Sequence, residues 1–112
     1  MLFTAYEKEV IAYRKALASG TEQECILHLS RAHILSQRYI FLHLKTHFLM
    51  LNYAILHFDL RESLGQLLRI VVTVPGHLLG KVPVGNTGWS KVGLTQKMPV
   101  PPDLTKILER DF

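Results

Sequence analysis

The residues of this chain best suited to chemistry are its histidines. There are six, against a single cysteine, and five of them fall between His28 and His57. His43 and His47 are four residues apart. On a helix that spacing stacks two side chains on one face, one turn apart, where two imidazoles can chelate one ion. Glu24 and His28 repeat the spacing upstream. His33 lies on a different face of the same segment, about 140° from His28 at roughly 100° per residue. An antiparallel helix pair can therefore bring either His28 with Glu24, or His33, against His43 and His47, but not all of them to one ion. Cys25, three residues before His28, is a further soft ligand. A nitrogen- and oxygen-rich set of this kind suits zinc, divalent iron, nickel or copper.

Other chemistries fit less well. A di-iron bundle needs Glu-x-x-His on two helices plus further glutamates. Here Glu24 to His28 is one residue too long, and no carboxylate lies between Arg38 and Asp59. No Gly-x-Ser-x-Gly elbow occurs, and Cys25 among apolar neighbours reads as inert core. Gly85-Asn86-Thr87-Gly88 lacks P-loop spacing and reads as a tight turn whose polar side chains bond their own backbone. No nucleophile, base and orienting group emerge together, which argues against an enzyme. The competing reading of the histidines is structural. A buried imidazole costs a few kcal/mol unless its ring nitrogens find partners, here backbone carbonyls, Tyr39, Tyr53, Asn52, Gln37 or Gln66. His57, near a helix end, reads as a dipole partner, and His77, after Pro75-Gly76, as a loop residue.

The elements that must position these groups are helical. In the first 80 residues there are four glycines and one proline; the remaining 32 hold three glycines and four prolines. This predicts a helical body over 1–80 and an irregular tail over 81–112, in one domain of 112 residues. Tyr6, Val10, Tyr13 and Leu17 mark the apolar face of a first helix, Ala5–Ala18. Ser19-Gly20 stops it. Thr21 with Glu24 forms a capping-box pattern for a second helix, Glu22–Ser36. A third runs Arg38–Phe58, with Arg38, Lys45, Asn52 and Asp59 as a narrow solvent stripe. His43 and His47 lie away from that stripe, with Ile40, Met50, Ala54 and Phe58. Asp59 caps a fourth helix to about Thr73, and Pro75 kinks or ends it, with an extension through Leu79 allowed. Short turns favour two antiparallel helical hairpins, an all-α four-helix bundle whose packing resembles the tetratricopeptide type without its signature. The Pro/Gly-rich tail, with a short helix Leu104–Arg110 capped by Asp103, straps across the bundle. Trp89 packs back on the body. Arg31, Arg61 and Arg69 are candidates for ion pairs with Glu24, Glu62 or Asp59.

The balance of 13 Lys and Arg against 9 Asp and Glu, net +4, is mildly basic. The positive residues are scattered singly, which argues against nucleic acid. The uncharged block Thr46–Phe58 is too short for the roughly 20 residues that span a bilayer. Neither a signal pattern nor a membrane span is legible, and a cytoplasmic location is the default expectation.

Arg31-Ala32-His33-Ile34-Leu35, Gln37-Arg38, His43, His47, Gly65-Gln66-Leu67-Leu68-Arg69, Val82-Pro83-Val84-Gly85-Asn86-Thr87-Gly88 and Met98-Pro99 together resemble a small bacterial family of unknown function. The resemblance spans about residues 25–104, with the Pro-x-Gly-Asn-Thr-Gly element its most specific part. Ser36 and Trp89 depart from it, standing where that family pattern has glycine. It implies a bacterial soluble protein of about this length and supplies no activity. Two functional expectations follow from the residues. One is transition-metal binding through His43 and His47, completed by His33 or by His28 and Glu24. The other is an interaction module, self-associating as a homodimer, with Trp89 and Phe112 as candidate exposed aromatics and the histidines purely structural.

Overall fold

In the computed structural model, residues 1–111 are described, and they form five helices with no strand. These are α1 (Leu2–Ser19), α2 (Glu22–Ser36), α3 (Ile40–Leu56), α4 (Leu60–Leu78) and α5 (Pro102–Arg110). The chain is an all-α bundle of two hairpins: α1 packs on α2 and α3 on α4, while α2 lies against α3 and α5 touches α1 and α2. Turns only two or three residues long force each pair to run antiparallel.

Of the α1 stripe, Tyr6, Val10 and Tyr13 are buried as the periodicity predicts and Leu17 is half-buried, while Leu2 and Ala16 complete the buried face. Gly20 closes α1 in the left-handed region at φ 75°, its N–H reaching the carbonyls of Ala16 and Leu17. Thr21 is the N-cap of α2, but its side chain makes no capping bond and pairs with Ser19 Oγ instead. Asp59 does cap α4, accepting from the N–H of Glu62 at 3.0 Å. Two apolar clusters fill the core. Tyr13, Cys25, Leu29, Met50, Tyr53 and Trp89 form one; Tyr6, Val10, Ala32, Ile34, Leu35 and Leu104 belong to the other.

Two helix boundaries matter for the site. The fourth helix takes the extension allowed beyond Thr73, running through Pro75 and Gly76 to Leu78. Pro75 and Val71 both face solvent, so water can satisfy the Val71 carbonyl that the proline cannot. His77 is therefore helical and not in a loop. Phe58 lies past the end of α3 at φ 53° and is exposed, so it does not share the buried face.

The tail straps the bundle through built contacts. Gln37 donates from Nε2 to the Pro83 carbonyl at 2.7 Å and accepts from the Gly85 N–H at 3.2 Å. Asn86 donates to the carbonyls of Gly93 and Gln96, both at 2.9 Å, and its Oδ1 accepts from the Gly88 N–H. Trp89 is buried and donates to Ser30 Oγ. That removes it as an exposed anchor for a partner. Phe112 lies outside the described residues. The α5 helix starts at Pro102, with Pro101 as its N-cap, so Asp103 is a first-turn residue and pairs with Arg31.

Candidate metal centre

Three imidazoles from two helices meet in the interior. His33 comes from the last turn of α2; His43 and His47 come from successive turns of α3. All three are buried, and their ligand atoms lie within 4.8 Å of one another. The Nε2 atoms face one another: His43 to His33 at 2.9 Å, His33 to His47 at 3.1 Å, and His43 to His47 at 3.2 Å. The i, i+4 pair on α3 is thus joined by His33 and not by His28.

Each outward ring nitrogen has its own partner. His33 Nδ1 lies 2.6 Å from the carbonyl oxygen of Asn86, which can only accept, so this nitrogen carries the proton. His47 Nδ1 lies 2.7 Å from Gln66 Oε1. The Gln66 amide is oriented by its other end, which donates to Glu62 at 2.8 Å and to the Gly88 carbonyl at 3.0 Å. Its oxygen must then accept from His47. His43 Nδ1 is 2.8 Å from Nε2 of His77.

The proton count has a consequence. With Nδ1 protonated in His33 and His47, their Nε2 atoms are bare lone pairs when the rings are neutral. The 3.1 Å edge between them therefore holds no hydrogen bond. Neutrality is what the environment enforces. Burial, reinforced by the neighbouring imidazoles and Arg69, holds His33 well below the ordinary histidine range and His43 down at about 3. His47 is lowered to about 4, chiefly by burial. Two such nitrogens, with His43 Nε2 beside them and each ring held from behind by a hydrogen bond, are an arrangement in which imidazoles can hold a metal ion.

The other candidate ligands go elsewhere. His28 bridges Glu9 through Nδ1 at 2.8 Å and Glu24 through Nε2 at 3.3 Å, in a partly exposed ion-pair cluster that also includes Arg31. Arg31 pairs with Glu9 and Asp103 and not with Glu24. Cys25 is buried in the apolar core, which pushes its thiol pKa up and leaves it inert. His57 bonds the Tyr53 carbonyl at the end of α3, as a helix-end partner does.

Sequence reasoning missed three contributors. His77, after Pro75-Gly76, reads as a loop residue, and its place at the site depends on α4 continuing past them. Asn86 acts through its backbone carbonyl, which carries no side-chain signal. Gly88, at φ 90°, packs so closely on the His33 ring that an added Cβ would stand 2.6 Å from Cδ2. Its placement in a Gly-Asn-Thr-Gly run was the only clue.

A family of proteins of unknown function (DUF3703) matches residues 1–108. The chain belongs to this family. The DUF3703 match covers every residue of the histidine cluster and its outer partners, and it assigns none of them a role. No curated protein and no solved structure matches the chain. Among the described residues, no helix is long and apolar enough to cross a membrane.

Proposed function

We propose that this protein binds a transition metal ion through Nε2 of His33, His43 and His47. One observation carries the reading: two neutral imidazoles with outward-fixed protons hold their lone pairs 3.1 Å apart in a buried site, with a third nitrogen beside them. A cation there, with His43 carrying its proton on Nδ1 toward His77, converts that repulsion into coordination. An ion at the usual 2.0–2.1 Å from imidazole nitrogens, in tetrahedral geometry, requires edges of about 3.3 Å, close to those present. Three protein ligands leave the fourth position open, the arrangement of a reactive or exchanging centre and not of a closed structural one. Zinc, divalent iron, nickel and copper all suit imidazole ligation. The test is metal content in protein purified without a metal-affinity tag, measured for the wild type and for His43→Ala/His47→Ala. About one ion per chain in the first and none in the second supports the reading; equal, sub-stoichiometric metal in both sinks it.

A separate feature favours self-association. The α4 helix is amphipathic in the inverse sense. Its polar residues Glu62, Gln66, Arg69, Thr73 and His77 face inward, while Leu60, Leu64, Leu67, Val71, Val74 and Leu78 are exposed at alternating four- and three-residue steps. On α3, Phe41, Phe48 and Ile55 are exposed at seven-residue steps. At roughly 150–200 Å² per large apolar side chain, the exposed fractions of these nine residues amount to roughly 1,000 Å². A stable interface needs about 800 Å² per partner. Heptad spacing on two neighbouring helices fits the same surface of a second copy, closing a four-helix dimer. Light scattering across a dilution series checks this. A dimer that Leu67→Glu/Val71→Glu converts to monomer is expected, whereas a wild type that stays monomeric at high concentration removes the reading.

A further inference from the structure

Beside the histidine triad lies a cavity of about 60 Å³, several times the roughly 10–15 Å³ one water requires. Its lining includes the three histidines, Arg69, Lys81 and Asn86, and no carboxylate. Arg69 is the unusual member. It is 6 % exposed, and among the described residues its side chain makes one hydrogen bond, from Nη2 to the Val92 carbonyl. Among the described residues no carboxylate lies within ion-pairing distance of it. The nearby Glu62 is engaged by Gln66 and by the N–H and hydroxyl of Ser90. Glu62 therefore acts on Arg69 only through space, and a buried guanidinium without a contacting counter-ion is costly; such groups are found paired.

Building on the metal reading, we infer that the open coordination position and Arg69 together bind a small oxyanion of carboxylate or carbonate size. A divalent ion on three neutral imidazoles carries +2, and Arg69 adds a further charge in the same enclosure. An anion offsets both. A halide can satisfy only the metal. An oxyanion can place one oxygen on the metal and another against the free donors of the guanidinium fork, whose planar geometry suits paired oxygens. Asn86 does not compete for it, since its side-chain amide is fully engaged by the backbone of the tail.

The test uses cobalt(II) as a spectroscopic probe in the full-length protein, titrated with acetate or bicarbonate against chloride at fixed ionic strength. Cobalt absorption that changes with saturable oxyanion binding, tighter than chloride, is expected. Arg69→Gln is expected to keep cobalt and lose at least about tenfold in oxyanion affinity. Should that variant not fold, Arg69→Lys keeps the charge without the fork and is expected to lose the preference for oxyanion over chloride. Unchanged oxyanion affinity or preference in the folded variant overturns the inference, as does cobalt binding with no oxyanion response in the wild type. Failure of cobalt to bind at all overturns the metal reading itself, and the anion site with it.

Discussion

Lowering the pH of metal-free protein from 7 to 5 tests the burial of the triad directly. In the unfolded chain the three imidazoles titrate near 6.5. In the folded chain His43 is held at about 3, His47 at about 4, and His33 well below its ordinary value. Between pH 7 and pH 5 the unfolded state therefore takes up protons that the native state refuses. Stability rises with pH wherever the unfolded state binds more protons, so acidification across this window must destabilise the fold. Integrating the linkage gives about 2 kcal/mol per histidine, or about 6 kcal/mol for three. That is a large share of the 5–15 kcal/mol typical of a domain. Few carboxylates titrate above pH 5, so the loss belongs mainly to histidine. The assay is urea unfolding followed by circular dichroism in the presence of a chelator, at half-unit steps of pH. A loss of less than about 1 kcal/mol across the window would refute both the burial and the neutral tautomers inferred from it.

Three further outcomes follow from the same contacts. Gln66→Leu and His77→Ala each remove a partner that orients a ligand ring from behind, and each is expected to weaken metal binding by 10- to 100-fold; competition with a colorimetric chelator measures this, and unchanged affinity in both would show that the outer bonds are idle. Gly88→Ala forces a Cβ to within 2.6 Å of the His33 ring at a positive φ, and is expected to lower the melting temperature and metal affinity together. Loss of neither property would mean that the loop yields without cost. Asp59→Ala removes the capping bond to Glu62 and is expected to cost about 1 kcal/mol in chemical denaturation without altering metal content, which separates a helix effect from a site effect.

Much of this arrangement is legible in the amino-acid pattern. The period of Tyr6, Val10 and Tyr13, the stop at Gly20 and the polar stripe of Lys45 and Asn52 place three helices and turn His43 and His47 inward. Spacing on α2 narrows their partner to His28 or His33, and only packing chooses His33, because the choice depends on the rotation of α2 about its axis. The rest was illegible for specific reasons. Periodicity divides α4 into two faces without saying which one is inside, and here the polar one is. A proline within a helix is read as an end unless the carbonyl it deprives is known to face water, as that of Val71 does. A backbone carbonyl such as that of Asn86 leaves no trace in composition.

The route by which the tail grips His33 bears on timing as well as on geometry. The proton on its ring is set by a carbonyl 53 residues downstream, in a segment without helix or strand. The two hairpins alone leave that ring free to carry its proton on either nitrogen. Only when Asn86 seats against Gly93 and Gln96, with Trp89 lodged beneath, does His33 Nε2 acquire a fixed lone pair. The geometry of the triad is thereby coupled to the irregular segment between α4 and α5. Any ion held there would close on a finished fold, because the His33 ring is fixed only by the seated strap.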